Sequence, residues 1–366
     1  MGAGRLSRGD PFLRRRFSAT HAVMTSTIRM RTSDLEALCR DAAIAAGASA
    51  DAALSLARAT VAAEAEGNRA VGLAHLPFYL DALSEGRIDG HAEPSIERPL
   101  PAILHVDAHG GTAHLGYDRA HDLLVAAART CGIGLFAQTN AYTCGSLGSF
   151  AQRLAAEGLV ALAATNGPAL MTVPGGRRPV YCTNPLAFAA PMADGDILLI
   201  DQASSQTAYV KLRDAADRGC ALPEGWAIDA DGRATSDPHA AMKGALLTFG
   251  GARGANIALL VEVLSAGLTG ANWSLDAPSI TQGNRSPGTG LLVIAIDPGA
   301  FGPGFEERLA THARRLHAEG VHIPGRAKAA ARRRAASDGI EVCVGTVDRI
   351  RSHGRQQGDF PASPAA

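Results

Sequence analysis

Apolar residues recur at spacings of three and four, or in short unbroken runs, along most of the chain, and these two patterns predict its helices and strands. Folding is expected to begin at Thr32-Ser33, a capping pair with Asp34 and Glu36 in the first turn, where carboxylates complement the helix dipole. An alanine-rich helix is predicted over 49–66, capped by Ser49 and stopped by Gly67. Leu73, Leu76, Leu80 and Leu83 fall on one face of a third helix, which ends at the Gly-Arg-Ile-Asp-Gly of 86–90. A β-hairpin is expected next, 103–107 and 112–117 about Gly110-Gly111, then a helix from Asp118 to Arg129 and a strand over 133–138.

A glycine-rich loop, 140–148, leads into an amphipathic helix that Gly158 ends. The chain is organised around the next stretch: an apolar run, Thr165-Asn166, a Pro-Gly-Gly-Arg-Arg turn at 174–178, Thr183-Asn184, and a second apolar run reaching Pro191. Each Thr-Asn pair borders a strand-like run, so short hydroxyl and amide groups are held where a ligand could meet them. Ordinary strand and turn chemistry explains the same residues without a ligand. Beyond lie a strand at 197–201, a helix reaching Asp217, a helix over 255–268, a strand at 291–297 and an amphipathic helix at 305–319. The chain after Gly325 is basic and is expected to be loose at its end.

Composition narrows the classes. With 46% hydrophobic and 19% charged residues, the chain reads as an ordinary soluble globular protein. Its 366 residues allow two or three lobes. A formal net charge of zero gives no basic face for nucleic acid or an acidic membrane. The apolar runs are far shorter than the ~20 residues of a membrane span. Cys39, Cys131, Cys144, Cys182, Cys220 and Cys343 are scattered without metal-ligand spacing, so reduced thiols, a cytoplasmic location and no metal are expected. The basic stretch from Met1 to Met30 is compatible with a transit peptide, a disordered tail or an early start ahead of Met24 or Met30. The tail is the preferred reading.

No Gly-x-Gly-x-x-Gly joins a strand to a helix; Gly132-Ile-Gly134 lacks the third glycine. Small polar residues and glycines nevertheless gather in loops 140–148, 165–168, 175–184 and 250–254. A dinucleotide laid along backbone amides would use such loops, with Arg177, Arg178, Arg253 or Arg326 facing phosphates.

These motifs carry a resemblance. Asn166-Gly-Pro, Gly175-Gly176-Arg, Thr183-Asn184-Pro-Leu-Ala-Phe, Ile200-Asp201, Leu222-Pro-Glu-Gly-Trp226, Thr235-x-Asp237-Pro238 and Gly250-Gly-Ala-Arg253-Gly254 stand in one order. In that order the chain resembles the malate/L-lactate dehydrogenase family of the second type, from about Asp34 to Gly325. The resemblance implies an α/β (α+β) fold with a non-Rossmann NAD(P)-binding lobe on a largely antiparallel sheet. A helical lobe built from both chain ends would stand against it. The implied division is 31–135 with 305–345 for the helical, substrate lobe and 136–304 for the cofactor lobe, between tails 1–30 and 346–366. It also implies a homodimer that transfers hydride between NAD or NADP and a small carboxylate substrate. That substrate would be a 2-oxo or 2-hydroxy acid of the malate, lactate or sulfolactate type, or a cyclic 2-imino acid.

Carried onto this sequence, Thr143, Cys144, Gly145, Ser146 and Leu147 should touch the cofactor. Asn166, Cys182, Thr183, Asn184, Asp201, Lys211, Arg253 and Arg326 stand at further cofactor or site positions. Ala70-Val71-Gly72 replaces the family's Ser-His-Gly, Thr143 replaces its second histidine, and His75 replaces the arginine that typically holds the substrate carboxylate. Both usual proton donors are therefore missing. His75, Tyr142 and Arg69 are the candidates to supply a proton or bind the carboxylate, each set against ordinary packing. Cys144 and Cys182 read as small apolar fillers. A cyclic imine would ease the loss, because an iminium accepts hydride without a strong acid. The alternative is a member that kept the fold and lost catalysis, acting as a cofactor- or ligand-binding protein.

Overall fold

Residues 26–355 are described by the computed structural model, and the two ends of that span pair: strand β1 (Thr27–Met30) runs antiparallel to Ile340–Cys343. The end of the basic stretch is thus a strand and not a tail, since its partner lies too far along the chain for any local pattern to show it. The transit-peptide and tail readings for residues 1–25 fall outside the described residues.

Helix α1 (Thr32–Ala45) places Arg31, not Thr32 or Ser33, at its cap position, where the guanidinium bonds the Asp34 carboxylate at 2.9 Å. Helix α2 (Ala50–Ala65) is capped by Ser49, which accepts from the Ala52 amide, and it stops at Gly67, φ 78°. One 3-10 turn, Arg69–Val71, precedes α3 (Leu76–Ser84). Leu73, Leu76, Leu80 and Leu83 are all buried, as their spacing predicts. They share a core with Leu35 and Leu56 and with Val342, Val347 and Ile350 from the far end of the chain.

The expected hairpin is displaced by one strand. β2 (Ser95–Leu100) pairs with β3 (Ile103–Asp107), and 112–117 opens helix α4 (Ala113–Cys131). Ala113, Tyr117, Ala120, Leu124 and Ala128 are buried along one face of that helix. Asp118 therefore sits inside the helix instead of capping it, accepting from Ser55 at 2.5 Å and from Arg153.

Strand β4 (Ile133–Ala141) runs across the position where the sequence divides the lobes; α5 (Gly148–Ala156), β5 (Val160–Thr165), β6 (Met171–Thr172), β7 (Leu186–Pro191) and β8 (Ile197–Gln202) come after it. Next come α6 (Tyr209–Asp217), β9 (Ala227–Ile228), β10 (Ala234–Thr235), α7 (Pro238–Lys243), β11 (Ala245–Leu247) and α8 (Ala252–Glu262). A π turn, Val263–Gly267, extends α8 before β12 (Thr289–Ile296) and α9 (Phe305–Ala318). Past Gly325 the chain carries α10 (Arg326–Asp338), β13 (Ile340–Cys343) and α11 (Val344–Arg355), so of the tail 346–366 expected to be loose, residues 346–355 are helical and the remainder falls outside the described residues. Alanines at 329 and 335 give α10 a narrow buried face, and Val347 and Ile350 anchor α11.

The seven-stranded sheet has the order β2-β3-β4-β12-β5-β7-β8. Only β3 and β4 are parallel; every other neighbouring pair is antiparallel. Its core, with Tyr117, Phe136, Phe150, Leu154 and Val293, lies under α4 and α5. A four-stranded sheet, β10-β9-β11-β6, has its own small core of Met171, Leu212, Leu222 and Leu246. The π turn lies directly on β12: a Cβ at Gly290 would fall 1.7 Å from the Ser265 carbonyl oxygen, so only glycine fits.

Candidate active site at the sheet edge

Register places the site. β12 pairs Thr289 with Ala141 and Leu291 with Thr165, while Leu186 pairs with both Ala164 and Gln202. The ends of β4, β5 and β8 and the starts of β7 and β12 therefore share one edge. Tyr142–Leu147, Asn166, Thr183-Asn184 and Asp201 are brought to that edge from distant parts of the sequence.

The loop after β4 is held on both flanks. Thr143 Oγ1 donates to Tyr79 Oη at 2.9 Å, and Tyr79 donates to the Thr143 carbonyl at 3.1 Å. His114 Nε2 lies 3.0 Å from the Cys144 carbonyl, so it carries the proton and leaves Nδ1 bare; Nδ1 is buried with no partner among the described residues. Gly145 adopts φ 62°, and a Cβ there would stand 3.5 Å from Tyr79 Oη. Leu147 is buried beneath the loop. The Gly148 amide donates to Asp201 Oδ2 at 3.0 Å, and Lys328 Nζ lies 3.7 Å from the same oxygen.

Behind the loop, the two asparagines hold backbone. Asn166 donates to the Asn272 carbonyl and accepts from the Gly290 amide. Asn184, fully buried at φ 34°, donates to the Ala258 carbonyl at 2.8 Å and to Glu262 Oε2 at 2.7 Å. Glu262 also accepts from the Ser274 amide and hydroxyl, and Ser274 Oγ accepts from the Cys182 amide. The Thr183 carbonyl accepts from the Ser204 amide. Burial pushes the Cys144 thiol up to about 12 and raises that of Cys182, so both stay protonated.

Facing the loop is a cluster of rings. The His75 ring, half-buried at the start of α3, lies 5.4 Å from those of Phe78 and Tyr79. Burial, then the charge of Arg213, then His114 lower its pKa to about 4. Burial also takes His114 down to about 4. Tyr142 is buried, donates to the Ile280 carbonyl at 2.8 Å, and has its phenol pKa raised chiefly by that burial. At neutral pH these imidazoles are uncharged and the Tyr142 phenol keeps its proton.

The malate/L-lactate dehydrogenase family model matches residues 30–351. The chain belongs to that family. It is 38% identical over 299 residues to the (2R)-3-sulfolactate dehydrogenase (NADP(+)) of Chromohalobacter salexigens, covering 81% of this chain and 89% of that one. It is 36% identical to the Δ1-pyrroline-2-carboxylate/Δ1-piperideine-2-carboxylate reductase of Pseudomonas putida, covering 88% and 96%. The crystal structure of Δ1-piperideine-2-carboxylate reductase from Pseudomonas syringae pvar. tomato superposes with a TM-score of 0.85 at 34% identity, over 89% of this chain and 99% of that one.

Within this malate/L-lactate dehydrogenase fold, four residues singled out from sequence lie apart from the ring cluster. Arg69 is 69% exposed, 3.8 Å from Glu64 and 3.4 Å from the Glu341 carbonyl, in a cavity lined by neither His75 nor Thr143. Lys211 is exposed over Trp226, and Arg253 is exposed at the start of α8. Arg326 lies 3.8 Å from Asp194 and 4.0 Å from Asp196. Sequence reasoning misses His114, because 112–117 reads as a strand. The 113, 117, 120, 124, 128 spacing is the available signal. It also misses Arg213, which no local motif marks.

Proposed function

We propose that this protein is an NAD(P)H-dependent reductase of a small 2-keto or cyclic 2-imino acid, with the cyclic imine as its proper substrate. The observation that carries the reading is the convergence of Tyr142–Leu147, Thr183 and Asp201 on one sheet edge, facing uncharged imidazoles. The relatives support it, since one is named as an NADP(+) enzyme and the others as imine reductases. The residues present fit a nicotinamide cofactor. Ser146 Oγ is buried in the loop with no partner among the described residues, next to Gly145 at φ 62°. Ser146 and Thr183 would hold the cofactor by their hydroxyls and Lys328 by its charge. We place it along the edge in a non-Rossmann manner, because the seven-stranded sheet has one parallel strand pair and so offers no crevice between two βαβ halves.

When bound, a reduced nicotinamide supplies the hydride. An open-chain 2-oxo acid needs a proton on oxygen as well, whereas an iminium already carries the hydrogen on nitrogen. The imidazoles of His75 and His114 are both neutral at pH 7, neither holding the second proton that an imidazolium would donate, so the site suits the iminium. The test is NADPH and NADH oxidation with Δ1-pyrroline-2-carboxylate, Δ1-piperideine-2-carboxylate, pyruvate, oxaloacetate and 3-sulfopyruvate. Turnover of the two imines alone is expected. Turnover of the oxo acids alone overturns the imine assignment, and silence with both nucleotides overturns the whole reading.

The same reading includes a cytoplasmic homodimer, testable by cell fractionation and light scattering. Leu259, Leu260, Val263, Leu268, Trp273 and Leu275 are all 45% exposed or more and succeed one another along α8 and the loop after it. Leu260→Glu is expected to halve the scattering mass; an unchanged mass removes this face from the contact.

A further inference from the structure

Phe78 in α3 has a guanidinium on its ring: Arg213 Cζ lies 4.5 Å from the ring centroid. Arg349 of α11 lies 5.9 Å from the same centroid. Arg213 enters from α6, the helix that packs Leu212 into the core of the four-stranded sheet, so it reaches the ring cluster from outside the helical layer. Neither arginine forms an ion pair or a side-chain hydrogen bond among the described residues. Asp81, on the same helix as Phe78, is taken up by His353 at 2.9 Å. Two like charges thus face one aromatic ring with no carboxylate between them, beside an imidazole that burial keeps neutral. An aromatic face holds a guanidinium in place while leaving its in-plane N–H donors free.

We infer that Arg213 is the carboxylate anchor of this enzyme, binding the substrate's carboxylate in a fork of two N–H donors, with Phe78 as the floor beneath it. The inference rests on the reductase reading for the identity of the substrate, not for the existence of the anion site. His75 is uncharged and shares the ring cluster with Phe78, so Arg213 is the group that brings positive charge to that cluster from α6. The ligand class is a small planar acid whose carboxylate is attached to the carbon being reduced. Such an acid exposes both oxygens in one plane, which suits a planar fork.

The test compares wild type, Arg213→Ala and Arg213→Lys. Steady-state kinetics with Δ1-pyrroline-2-carboxylate are expected to show kcat/KM falling about a hundredfold in Arg213→Ala, mainly through KM, with part of the loss restored in Arg213→Lys. NADPH binding by fluorescence and the thermal midpoint should not move, which separates an anchor from a structural prop. Calorimetry with pyrrole-2-carboxylate needs no turnover, and the alanine variant should bind this probe at least thirtyfold more weakly. Equal probe binding by wild type and Arg213→Ala overturns the anchor, as does a kcat/KM within threefold of wild type. Probe binding that depends on Arg213, found without turnover of any imine or oxo acid, sinks the reductase reading and leaves the anion site standing.

Discussion

Two polar regions flank the sheet edge, one buried and one half-exposed, and they are built on opposite terms. Around Glu262, the donors of Asn184 and Ser274 meet the carboxylate, and the Ser274 hydroxyl accepts from the Cys182 amide in turn. Around Phe78, the guanidiniums of half-buried Arg213 and exposed Arg349 have no ion-pair partner among the described residues, and nearby the buried Nδ1 of His114, whose ring faces Tyr79, is bare as well. A satisfied buried network fixes backbone, while an unsatisfied one stores capacity to bind. Of the residues most readily named from motifs, Asn166 uses both ends of its amide, while Asn184 uses its nitrogen and leaves Oδ1 without a partner among the described residues. Arg213, the proposed anchor, stands where no motif points.

The largest break in this contrast is Glu262→Ala. It strands the Asn184 amide and the Ser274 N–H in a buried site, and urea unfolding should report a loss of about 3 kcal/mol. An unchanged midpoint would show that the network is not structural. The second effect is acid sensitivity. His114 has a folded pKa of about 4 against an unfolded value near 6.5, so the unfolded chain binds the extra proton between those limits. The stability this burial contributes is fully present above pH 6.5 and is lost as pH falls toward 4, on the order of 3 kcal/mol. His75 adds a loss of the same sign in the same window. Unfolding at several pH values should therefore show a shallower slope in His114→Gln, and an identical slope would contradict the assignment. The smallest effect belongs to Arg69→Ala. With its side chain 69% exposed and its nearest carboxylate 3.8 Å away, a change in kcat/KM below twofold is expected. A tenfold loss would return it to the site.

Legibility falls with distance along the chain. The leucine face of α3, the serine cap of α2 and the strands on either side of Thr165 are readable because spacing and caps are local. The 103–117 region misleads because Gly110-Gly111 resembles a hairpin turn, although the apolar period beyond it is helical. The strand at Thr27–Met30 and the helix over 346–355 are not readable, since each is stabilised by contact with the opposite end of the chain. At the site, the loop from Tyr142 to Leu147 is legible as one unit. Its supports, Tyr79 and His114, and the cation Arg213 meet it only through tertiary packing.

The position of β12 sets a timetable. This strand, the last of the large sheet to be synthesised, is inserted between β4 and β5. Until Thr289–Ile296 has left the ribosome, the two halves of the sheet have no common neighbour, and the edges of β4 and β5 are open to pairing with other chains. The candidate site at this edge is therefore among the last parts of the molecule to exist. A nascent chain stalled short of that strand would carry most of the site's residues and none of its geometry.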